Sequence, residues 1–278
     1  MAGTKPRPLL RYHGGKWMLA PWIVSHFPKH RCYVEPFGGA ASVLLRKPRV
    51  HTEIYNDLDA DVVNLFHVVR ERGEELARAL ELTPFSRDEY YAAMDTTSDP
   101  LENARRLVIR SFMGFGSNAH SAARRSGFRS MNGGNGRPPS RDWATYPHAM
   151  GKTIERLRGV VIENKPAIEL IEIWDDPATL FYCDPPYVHS TRMMNASSKK
   201  CYAHEMIDDD HRQLSELLHK CKGMIVLSGY RCELYDELYG EWARIDKAAL
   251  ADGARKRTES LWLNDAAVRA KPTLFSNT

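Results

Sequence analysis

The sequence LFYCDPPY at residues 180–187 decides how the rest of the chain is interpreted. Its first four residues are apolar or aromatic, which is typical of a short buried β-strand. Asp184 follows directly, and Pro185 and Pro186 then fix two successive φ angles while supplying no backbone N–H. The strand therefore leads into a rigid loop with a carboxylate, carbonyl acceptors and the ring of Tyr187. These groups would receive a planar ligand carrying an NH₂ group. The alternative is a rigid turn in which Asp184 only caps the chain.

The segments around this motif predict an α/β fold. Further strands are expected at residues 32–34, 52–55 and 224–228, in addition to 180–183. Amphipathic helices lie between them, with apolar residues at helical spacing on one face. The residues that define these faces are Val62, Phe66 and Val69 in a helix starting near Asp59, and Leu214, Leu217, Leu218 and Cys221 in a helix starting at 208–210. Short buried strands that alternate with such helices indicate βαβ units and a mainly parallel sheet.

A polar, glycine-rich and basic region at about 110–145 interrupts this alternation. We interpret it as part of an inserted subdomain, mainly helical and loop, that spans residues 72–168. The sheet domain is then expected to consist of residues 1–71 and 169–278.

The composition excludes several classes of protein. The chain has 278 residues, of which 43% are hydrophobic and 27% charged, as in ordinary globular proteins. No segment approaches the roughly 18 consecutive apolar residues that a membrane-spanning helix requires, and the N-terminus has no apolar core like that of a secretory signal. The five cysteines are scattered and form no C-x-x-C pair. We therefore expect reduced thiols, a cytoplasmic location and no metal site.

The positive charge of the chain is concentrated in one region. From Arg105 to Arg141 there are eight arginines and no Asp or Glu, although the net charge of the whole chain is only +4. Glycine- and asparagine-rich turn signals and aromatic residues are interleaved with these arginines. Such a segment is typical of a surface that contacts nucleic acid. The alternative is a solvated loop whose charges only keep the protein soluble.

The sequence VEPFGGA at residues 34–40 predicts a strand that runs into a small-residue loop, followed by a helix containing Ala41, Val43 and Leu44. Glycines in such a loop let the backbone approach a ligand at the carboxyl end of a strand. The spacing is not G-x-G-x-x-G, and Glu35 suits a cationic amine better than a phosphate. An ordinary strand-to-helix turn is the alternative.

Asn56 and Asp57 end the next predicted strand. Asp57 lies nineteen residues after Gly38, where folds of this kind hydrogen-bond a ribose. Alternatively, Asp57 or Asp59 is only the N-cap of the following helix. The two loops together indicate a cofactor that carries a nucleoside.

Three motifs in this order give the chain a family resemblance. RYHGGK at 11–16, EPFGGA at 35–40 and DPPY at 184–187 resemble the Dam-like, alpha-type DNA adenine methyltransferases. The resemblance covers most of the chain and implies a Rossmann-like methyltransferase sheet with helices on both faces. It also implies that the insertion recognises the DNA target.

The activity implied by the resemblance is transfer of a methyl group from S-adenosylmethionine to the 6-amino group of adenine in duplex DNA. Asp184 and the Pro185 carbonyl would accept the amine hydrogens, and Tyr187 would stack on the flipped base. The implied catalytic residues are Asp184, Pro185, Pro186 and Tyr187. The implied cofactor-binding residues are Tyr12, Lys16, Glu35, Pro36, Phe37, Gly38, Gly39, Asp57 and Asp184. For Lys16, a surface or phosphate-contacting role is the alternative.

DNA contacts are expected within the insertion. Residues 111–118 occupy the place of the family's target loop but depart from the N-R-x-G-x-N-G form of G-A-T-C methylases. Asn118, Arg124, Arg125 and Arg129 are the implied DNA-binding residues, with phosphate contact favoured over base readout for the arginines. Residues 188–201 are interpreted as a loop that closes over the base, or else as a connector. Residues 255–257 would contact phosphate or be solvated surface.

Other functions remain open from the sequence. They are methylation of the 4-amino group of cytosine, an RNA substrate, and a catalytically silent DNA-binding regulator on the same scaffold. Asp184 speaks against cytosine, because that chemistry more often goes with serine at this position. The expected partner is duplex DNA, bound by a monomer or by a dimer formed on the DNA. The expected source is prokaryotic or phage.

Overall fold

The structure is a computed structural model that describes residues 7–12, 14–116, 126–130, 138–191, 204–251 and 255–271. Helices and strands alternate over residues 160–251, whereas residues 60–157 form consecutive helices. The helices are α1 (Ala20–Ser25), α2 (Ala60–Leu82), α3 (Arg87–Ala92), α4 (Pro100–Met113), α5 (Pro139–Thr145), α6 (Met150–Leu157), α7 (Ala167–Trp174), α8 (Asp208–Lys220), α9 (Glu233–Tyr239) and α10 (Asp265–Arg269). The strands are β1 (Cys32–Glu35), β2 (Thr52–Asn56), β3 (Val160–Glu163), β4 (Thr179–Cys183), β5 (Met224–Gly229), β6 (Ala243–Ala251) and β7 (Arg255–Leu263).

The strands form a seven-stranded sheet in the order β3-β2-β1-β4-β5-β7-β6. β1 pairs in parallel with both β2 and β4, and β4 pairs in parallel with β5. β7 is antiparallel to both of its neighbours, β5 and β6. The mixed α/β fold and the four strands expected from the sequence are confirmed. The chain order reverses between β1 and β4, which is where open α/β sheets bind ligands.

The β6–β7 hairpin extends beyond the end of β5. The last pair between β5 and β7 joins Gly229 to Ser260, whereas β7 remains paired with β6 as far as Arg255 and Ala251. β7 therefore enters the sheet between β5 and β6, although β6 precedes it in the chain. The backbone of this ladder runs past the carboxyl end of β5.

The chain divides into two compact units. The first consists of Met1–Trp17, Gly39–Arg46 and Asp59–Ile162, and we call it the helical unit. The second consists of Met18–Gly38, Lys47–Leu58 and Glu163–Thr278, and we call it the sheet unit. Target recognition by residues 72–168 stays a prediction, because this division concerns compactness and not function.

The core of the sheet unit lies between its central strands and the helices that cover them. Val34, Phe181, Ile225 and Trp262, from four neighbouring strands, are fully buried. Leu214 and Leu218 of α8 pack against them, as the spacing of the stripe predicts, while Leu217 and Cys221 are partly buried in the same cluster. Cys32, Cys183, Cys221 and Cys232 are all free thiols, in agreement with the expected absence of disulfides among these cysteines.

The helical unit is built around α2. Val62, Phe66 and Val69 are fully buried, which confirms the predicted face of this helix. The helix begins after Asp59, whose side chain accepts a hydrogen bond of 3.0 Å from the backbone N–H of Asp61. α4 and α6 pack on α2. Within the described residues, no helix combines the length and apolarity needed to span a membrane.

Within the described part of the arginine-rich segment, Arg105, Arg106 and Arg110 make contacts inside the helical unit. Arg105 donates to Glu102 at 2.7 Å and to Glu89 at 3.0 Å, and Arg106 donates to Glu102 at 2.7 Å. Hydrogen bonds from Arg105 lower the pKa of Glu102 to about 2. Arg110 is only 3% exposed and donates to the Ala93 carbonyl at 2.8 Å. The count of basic residues therefore overstates the positive charge that is available for binding an anionic partner.

Candidate active site

The DPPY segment follows β4 directly, as predicted. Asp184 is half-buried, and Pro185 is buried at the carboxyl end of the strand. β4 lies between β1 and β5, both parallel to it, so the loops that follow these three strands meet at one edge of the sheet. The segment is therefore placed where a small ligand can reach its carboxylate.

Tyr187 is held from two sides within the sheet unit. Its hydroxyl donates a buried hydrogen bond of 2.9 Å to Oε2 of Glu259, on β7. Its ring meets the ring of Tyr230 in a T-shaped contact with the centroids 4.5 Å apart. The side chain of Tyr187 is 6% exposed. The ring is thus fixed by its surroundings rather than projecting into solvent.

Negative charge is concentrated around the buried Tyr182, on β4. Burial holds the pKa of Tyr182 well above its usual value, and the carboxylates of Asp184, Glu35 and Glu259 raise it further. The phenol therefore stays neutral across the physiological pH range. Two of these carboxylates, Glu35 at the end of β1 and Asp184 directly after β4, favour a cationic ligand at this edge, whereas Glu259 accepts the hydrogen bond of Tyr187.

Glu35 is 2% exposed and accepts a hydrogen bond of 2.9 Å from the hydroxyl of Tyr33. Burial raises the pKa of Tyr33 far above its usual value, with a further contribution from Glu35. Tyr33 is therefore a neutral donor. Because this bond fixes one of its oxygens, the carboxylate of Glu35 is oriented before any ligand binds.

A buried ion pair supports Tyr33 from the far side of the ring. The ammonium of Lys47 lies 2.6 Å from Oε1 of Glu53 and 4.5 Å from the centroid of the Tyr33 ring. Both charged side chains are almost fully buried. A buried pair of this kind is stable only with close geometry and further hydrogen bonds, and Lys47 also donates to the Pro48 carbonyl at 2.7 Å.

Asn56 ties the loop after β1 to the segment before α7. Its side-chain amide donates to the carbonyl of Pro36 at 2.8 Å and to that of Lys165 at 3.0 Å, and its oxygen accepts from Lys165 N–H at 2.9 Å. The side chain is fully buried. It satisfies three backbone groups that would otherwise be buried without partners.

Asp57 follows Asn56 and is half-buried, with its carbonyl accepting a hydrogen bond of 2.7 Å from Asn164. The N-cap of α2 is Asp59, so the capping alternative for Asp57 does not hold. Asp57 lies at the carboxyl end of β2, beside the Glu35 loop of β1.

Packing requires the glycine at position 38. The Gly38 N–H donates to the Asn56 carbonyl at 2.8 Å. A Cβ at this position would overlap the ring of Tyr55 and lie 2.8 Å from the Asn56 carbonyl oxygen. Next to it, Pro36 is buried and Phe37 packs partly against the core of the sheet unit.

In the helical unit the structure brings Tyr12 and Gly39 together. Gly39 has φ +48°, and a Cβ there would lie 2.9 Å from the Tyr12 ring. Lys16, in the same unit, is 4% exposed and donates to the Gly14 carbonyl at 2.8 Å. A buried ammonium contradicts the surface alternative for this lysine.

The helix predicted after Gly39 is wrong. Residues 42–46 form turns, with a bond of 2.9 Å from Leu45 N–H to the Ala41 carbonyl. Ala41 has φ +51°, a left-handed conformation that cannot begin a right-handed helix. Val43 and Leu44 are nevertheless buried, so the apolar spacing reflects packing alone.

Of the implied DNA-binding residues, Asn118, Arg124 and Arg125 lie outside the described residues. The chain on either side pairs in antiparallel fashion, with Arg129 N–H donating to Met113 at 2.7 Å and Phe115 N–H donating to Gly127 at 2.9 Å. Arg129 is half-buried beside this pairing.

This paired segment is anchored to the helical unit through α3. Tyr90 donates to the Ser126 carbonyl at 2.7 Å, and the rings of Phe85 and Tyr90 pack on Phe128. Residues 192–201 of the expected loop also lie outside the described residues, as do the side chains of 255–257.

Several residues of this site were missed by sequence reasoning. Glu259 and the side-chain role of Asn56 depend on contacts between residues far apart in the chain, and no local motif marks them. Tyr33 lies two residues before Glu35 on the same strand, so the alternation of side chains along a strand could have placed the two on one face. Tyr230 stands next to a predicted strand end and could have been found from that position. Among the described residues, no group of acidic, histidine and cysteine side chains could hold a metal ion.

Acidic loops at the carboxyl ends of parallel strands define an α/β protein that binds a small ligand at that edge. Comparison with known families is more specific. The D12 class N6 adenine-specific DNA methyltransferase family matches residues 12–252. The chain belongs to this family.

Curated relatives agree with this assignment. The chain is 28% identical over 188 residues to the DNA adenine methylase of Escherichia coli K12, covering 66% of each chain and so slightly less than two thirds of that protein. It is 25% identical over 243 residues to the DNA adenine methylase of Salmonella typhi, covering 84% of each chain. A third relative, the DNA adenine methylase of Serratia marcescens, is 32% identical over 109 residues, or 38% of this chain and 40% of the relative.

Proposed function

We propose that the protein transfers a methyl group from S-adenosylmethionine to the 6-amino group of adenine in duplex DNA. The observation that carries this proposal is the position of Asp184–Tyr187 at the carboxyl end of β4, next to the Glu35 loop of β1. Membership of the D12 family implies a methyl donor and a DNA adenine substrate. Residues 72–168 are proposed to recognise the DNA target.

The reacting amine is a poor nucleophile because its lone pair is delocalised into the adenine ring. Asp184 and the Pro185 carbonyl would accept its two hydrogens and so favour tetrahedral geometry at nitrogen. These acceptors are held by a rigid Pro-Pro segment, so little reorganisation is needed when positive charge develops on the amine. Asp184 or water would take the departing proton.

The residues around the β1 and β2 loops suit the proposed cofactor. Bound there, S-adenosylmethionine would supply an electrophilic methyl group on a sulfonium. Glu35 is already oriented by Tyr33, so it can meet the ammonium of the methionine moiety. Asp57 follows β2, where a carboxylate can bind ribose hydroxyls. The carboxylates of Glu35 and Asp184, at the ends of neighbouring parallel strands, suit a ligand with two cationic centres.

The other implied cofactor residues are proposed on their local geometry. Tyr12 packs on Gly39, and Lys16 is a buried cation suited to the methionine carboxylate. Pro36, Phe37 and Gly38 would shape the wall of the pocket.

The adenine must leave the duplex to reach Asp184. Tyr187 would stack on the flipped base, with its ring plane set by Glu259 and Tyr230. Arg124, Arg125 and Arg129 are proposed to contact phosphates. Arg105, Arg106 and Arg110 instead form hydrogen bonds within the helical unit. Fewer phosphate contacts are therefore expected than the basic composition suggests.

The proposal is tested by incubating purified protein with duplex DNA and S-adenosylmethionine, followed by nucleoside mass spectrometry and methylation-sensitive sequencing. N6-methyladenine in a fixed short context is the expected product. N4-methylcytosine would overturn the base assignment, and methylation of RNA alone would overturn the substrate. Absence of both product and cofactor binding by calorimetry would leave a silent DNA-binding protein.

A further inference from the structure

Three neighbouring strands converge on the tyrosine of the DPPY segment. β4 delivers Tyr187, whose hydroxyl donates to Glu259 and whose ring meets Tyr230. The β5–β7 ladder ends at the pair Gly229 and Ser260, and Tyr230 and Glu259 are the residues immediately beyond that pair. The register between β5 and β7 therefore places Tyr230 and Glu259 next to Tyr187. A shift of β7 by one residue would move Glu259 to the other face of the sheet.

A carboxylate is a costly group at this position. Glu259 is 7% exposed, and burial of a charged group is unfavourable unless hydrogen bonds compensate for lost hydration. An apolar side chain would fill the same space at the edge of the core without that cost. The next residue on β7, Ser260, already provides a polar link across the hairpin through its bond of 2.7 Å to Asp246. Holding β6 to β7 therefore does not require Glu259.

We infer that Glu259 is a positioning residue for methyl transfer, which fixes the ring of Tyr187 so that the flipped base is held at the proper distance from Asp184. This inference rests on the proposed function. The rigid backbone of Pro185 and Pro186 anchors the ring at one end, and the bond to Glu259 anchors the hydroxyl at the other. Tyr230 restricts rotation of the ring in between.

The effect is expected on the rate of transfer rather than on cofactor binding. Small errors in the placement of reacting groups, of about 1 Å, reduce rates by about 100-fold. The hydrogen bond of Glu259 joins it to Tyr187 and not to a residue of the Glu35 loop. The affinity for S-adenosylmethionine should therefore change little. A loosened Tyr187 would still permit DNA binding, because phosphate contacts supply most of that affinity.

The test is a double-mutant cycle with Glu259→Ala, Tyr187→Phe and the double variant. The rate constant kcat is measured at saturating DNA and S-adenosylmethionine, and cofactor affinity is measured by calorimetry. Glu259→Ala should lower kcat by about 10- to 100-fold with an unchanged cofactor Kd. Tyr187→Phe should lower kcat similarly, and adding Glu259→Ala to it should change kcat by less than about twofold, because the shared bond is already lost.

Two further variants separate positioning from general stability. Glu259→Gln keeps an acceptor for the tyrosine hydroxyl and should recover most of the kcat lost in Glu259→Ala. Ser260→Ala is the matched control on the adjacent residue and should retain kcat near that of the original protein. The inference would be overturned if the kcat losses of the two single variants multiplied in the double variant. It would also be overturned if Glu259→Gln did not restore kcat.

The inference and the proposed function fail in different ways. If the original protein forms no methylated adenine, the proposed function is rejected. If it is active and Glu259→Ala is equally fast with an unchanged melting temperature, only the positioning role is rejected. If Glu259→Ala does not fold, Tyr187→Phe removes the same hydrogen bond and leaves Glu259 in place, and an unchanged kcat in that variant rejects the positioning role.

Discussion

The carboxyl edge of the sheet unit and the arginine-rich surface of the helical unit use their charges differently. At the sheet edge, Asp184, Glu35 and Glu259 come from three strands and act on one buried tyrosine. In the helical unit, Arg105 and Arg106 come from one helix and are engaged by Glu102 of the same helix. Sheet topology thus brings like charges from separate chain segments to one site. Helical spacing instead brings opposite charges together three or four residues apart.

Because of this difference, the number of charged residues in a sequence segment does not by itself predict a binding site. Some basic residues of a cluster on a helix already form ion pairs within the protein, so they are less available to a ligand. Acidic residues placed singly at the ends of parallel strands are gathered only by the fold, and they signal a site although the sequence shows no cluster. The following predictions test that contrast, from the largest expected effect to the smallest.

Asp184→Ala should abolish methyl transfer, lowering the rate by at least about 100- to 1,000-fold, because the acceptor for the amine hydrogen is lost. Binding of DNA should remain close to that of the unchanged protein. Single-turnover transfer of labelled methyl groups and DNA affinity by anisotropy check these two statements. Retention of the full rate by the variant would contradict the proposed mechanism.

Gly38→Ala should destabilise the sheet unit by about 1–3 kcal/mol, since the added methyl group would overlap Tyr55. Cofactor affinity should fall with it, because the loop after β1 must shift. The matched control is Gly151→Ala in α6, where a Cβ meets nothing within 4 Å. That change should raise stability by about 0.5–1 kcal/mol, through the higher helix propensity of alanine. Urea unfolding measures the change in stability of both variants. Changes of the same sign in the two variants would refute the packing argument.

Arg105→Ala should lower the stability of the helical unit by about 1–2 kcal/mol, because hydrogen bonds to Glu102 and Glu89 are lost. The salt dependence of DNA binding should stay the same. Arg129→Ala is the counterpart, for which we expect weaker DNA binding and a salt slope reduced by about one. Affinities measured over a series of salt concentrations distinguish the two arginines, and a reduced slope for Arg105→Ala would remove the contrast.

The pH dependence of stability should carry a contribution from Glu102. Its pKa is lowered to about 2 in the folded protein, from an ordinary value of 4.5. The stabilisation is therefore fully present above about pH 4.5 and is lost as the pH falls towards 2. Since these side chains are partly exposed, the expected effect is below about 1 kcal/mol.

Comparison with Glu102→Gln isolates this contribution. The difference in unfolding midpoint between the original protein and the variant, measured by tryptophan fluorescence, should stay constant from pH 6 to about pH 5 and shrink as the pH falls from about 4.5 towards 2. A difference that stays constant in the lower range as well would show that the carboxylate charge does not contribute.

The sequence predicts the features of the fold that depend on local pattern. The four strands expected at the sheet unit's centre all form. Those at 32–34, 180–183 and 224–228 are short, mainly apolar runs, whereas the one at 52–55 contains Thr52 and Glu53. The position of Asp184 after a strand also follows from local pattern, because two prolines cannot continue a central strand. Asp57 and the Glu35 loop are found by the same reasoning.

What the sequence did not predict depends on contacts between distant residues. Glu259 meets Tyr187 across 72 positions only because β7 inserts beside β5. The turn after Gly39 replaces a predicted helix because Ala41 adopts a left-handed conformation that apolar spacing cannot reveal. The internal pairing of Arg105 likewise needs Glu89 of another helix.

The insertion of β7 between β5 and β6 has a consequence for synthesis of the protein on the ribosome. β6 leaves the ribosome before β7 but has no hydrogen-bonding partner in the sheet until β7 is made. The nascent chain therefore carries an unpaired strand until residues 255–263 emerge, and the buried Trp262 enters the core only then. Closing of the sheet thus waits for the synthesis of β7, which also supplies Glu259, the hydrogen-bond partner of Tyr187.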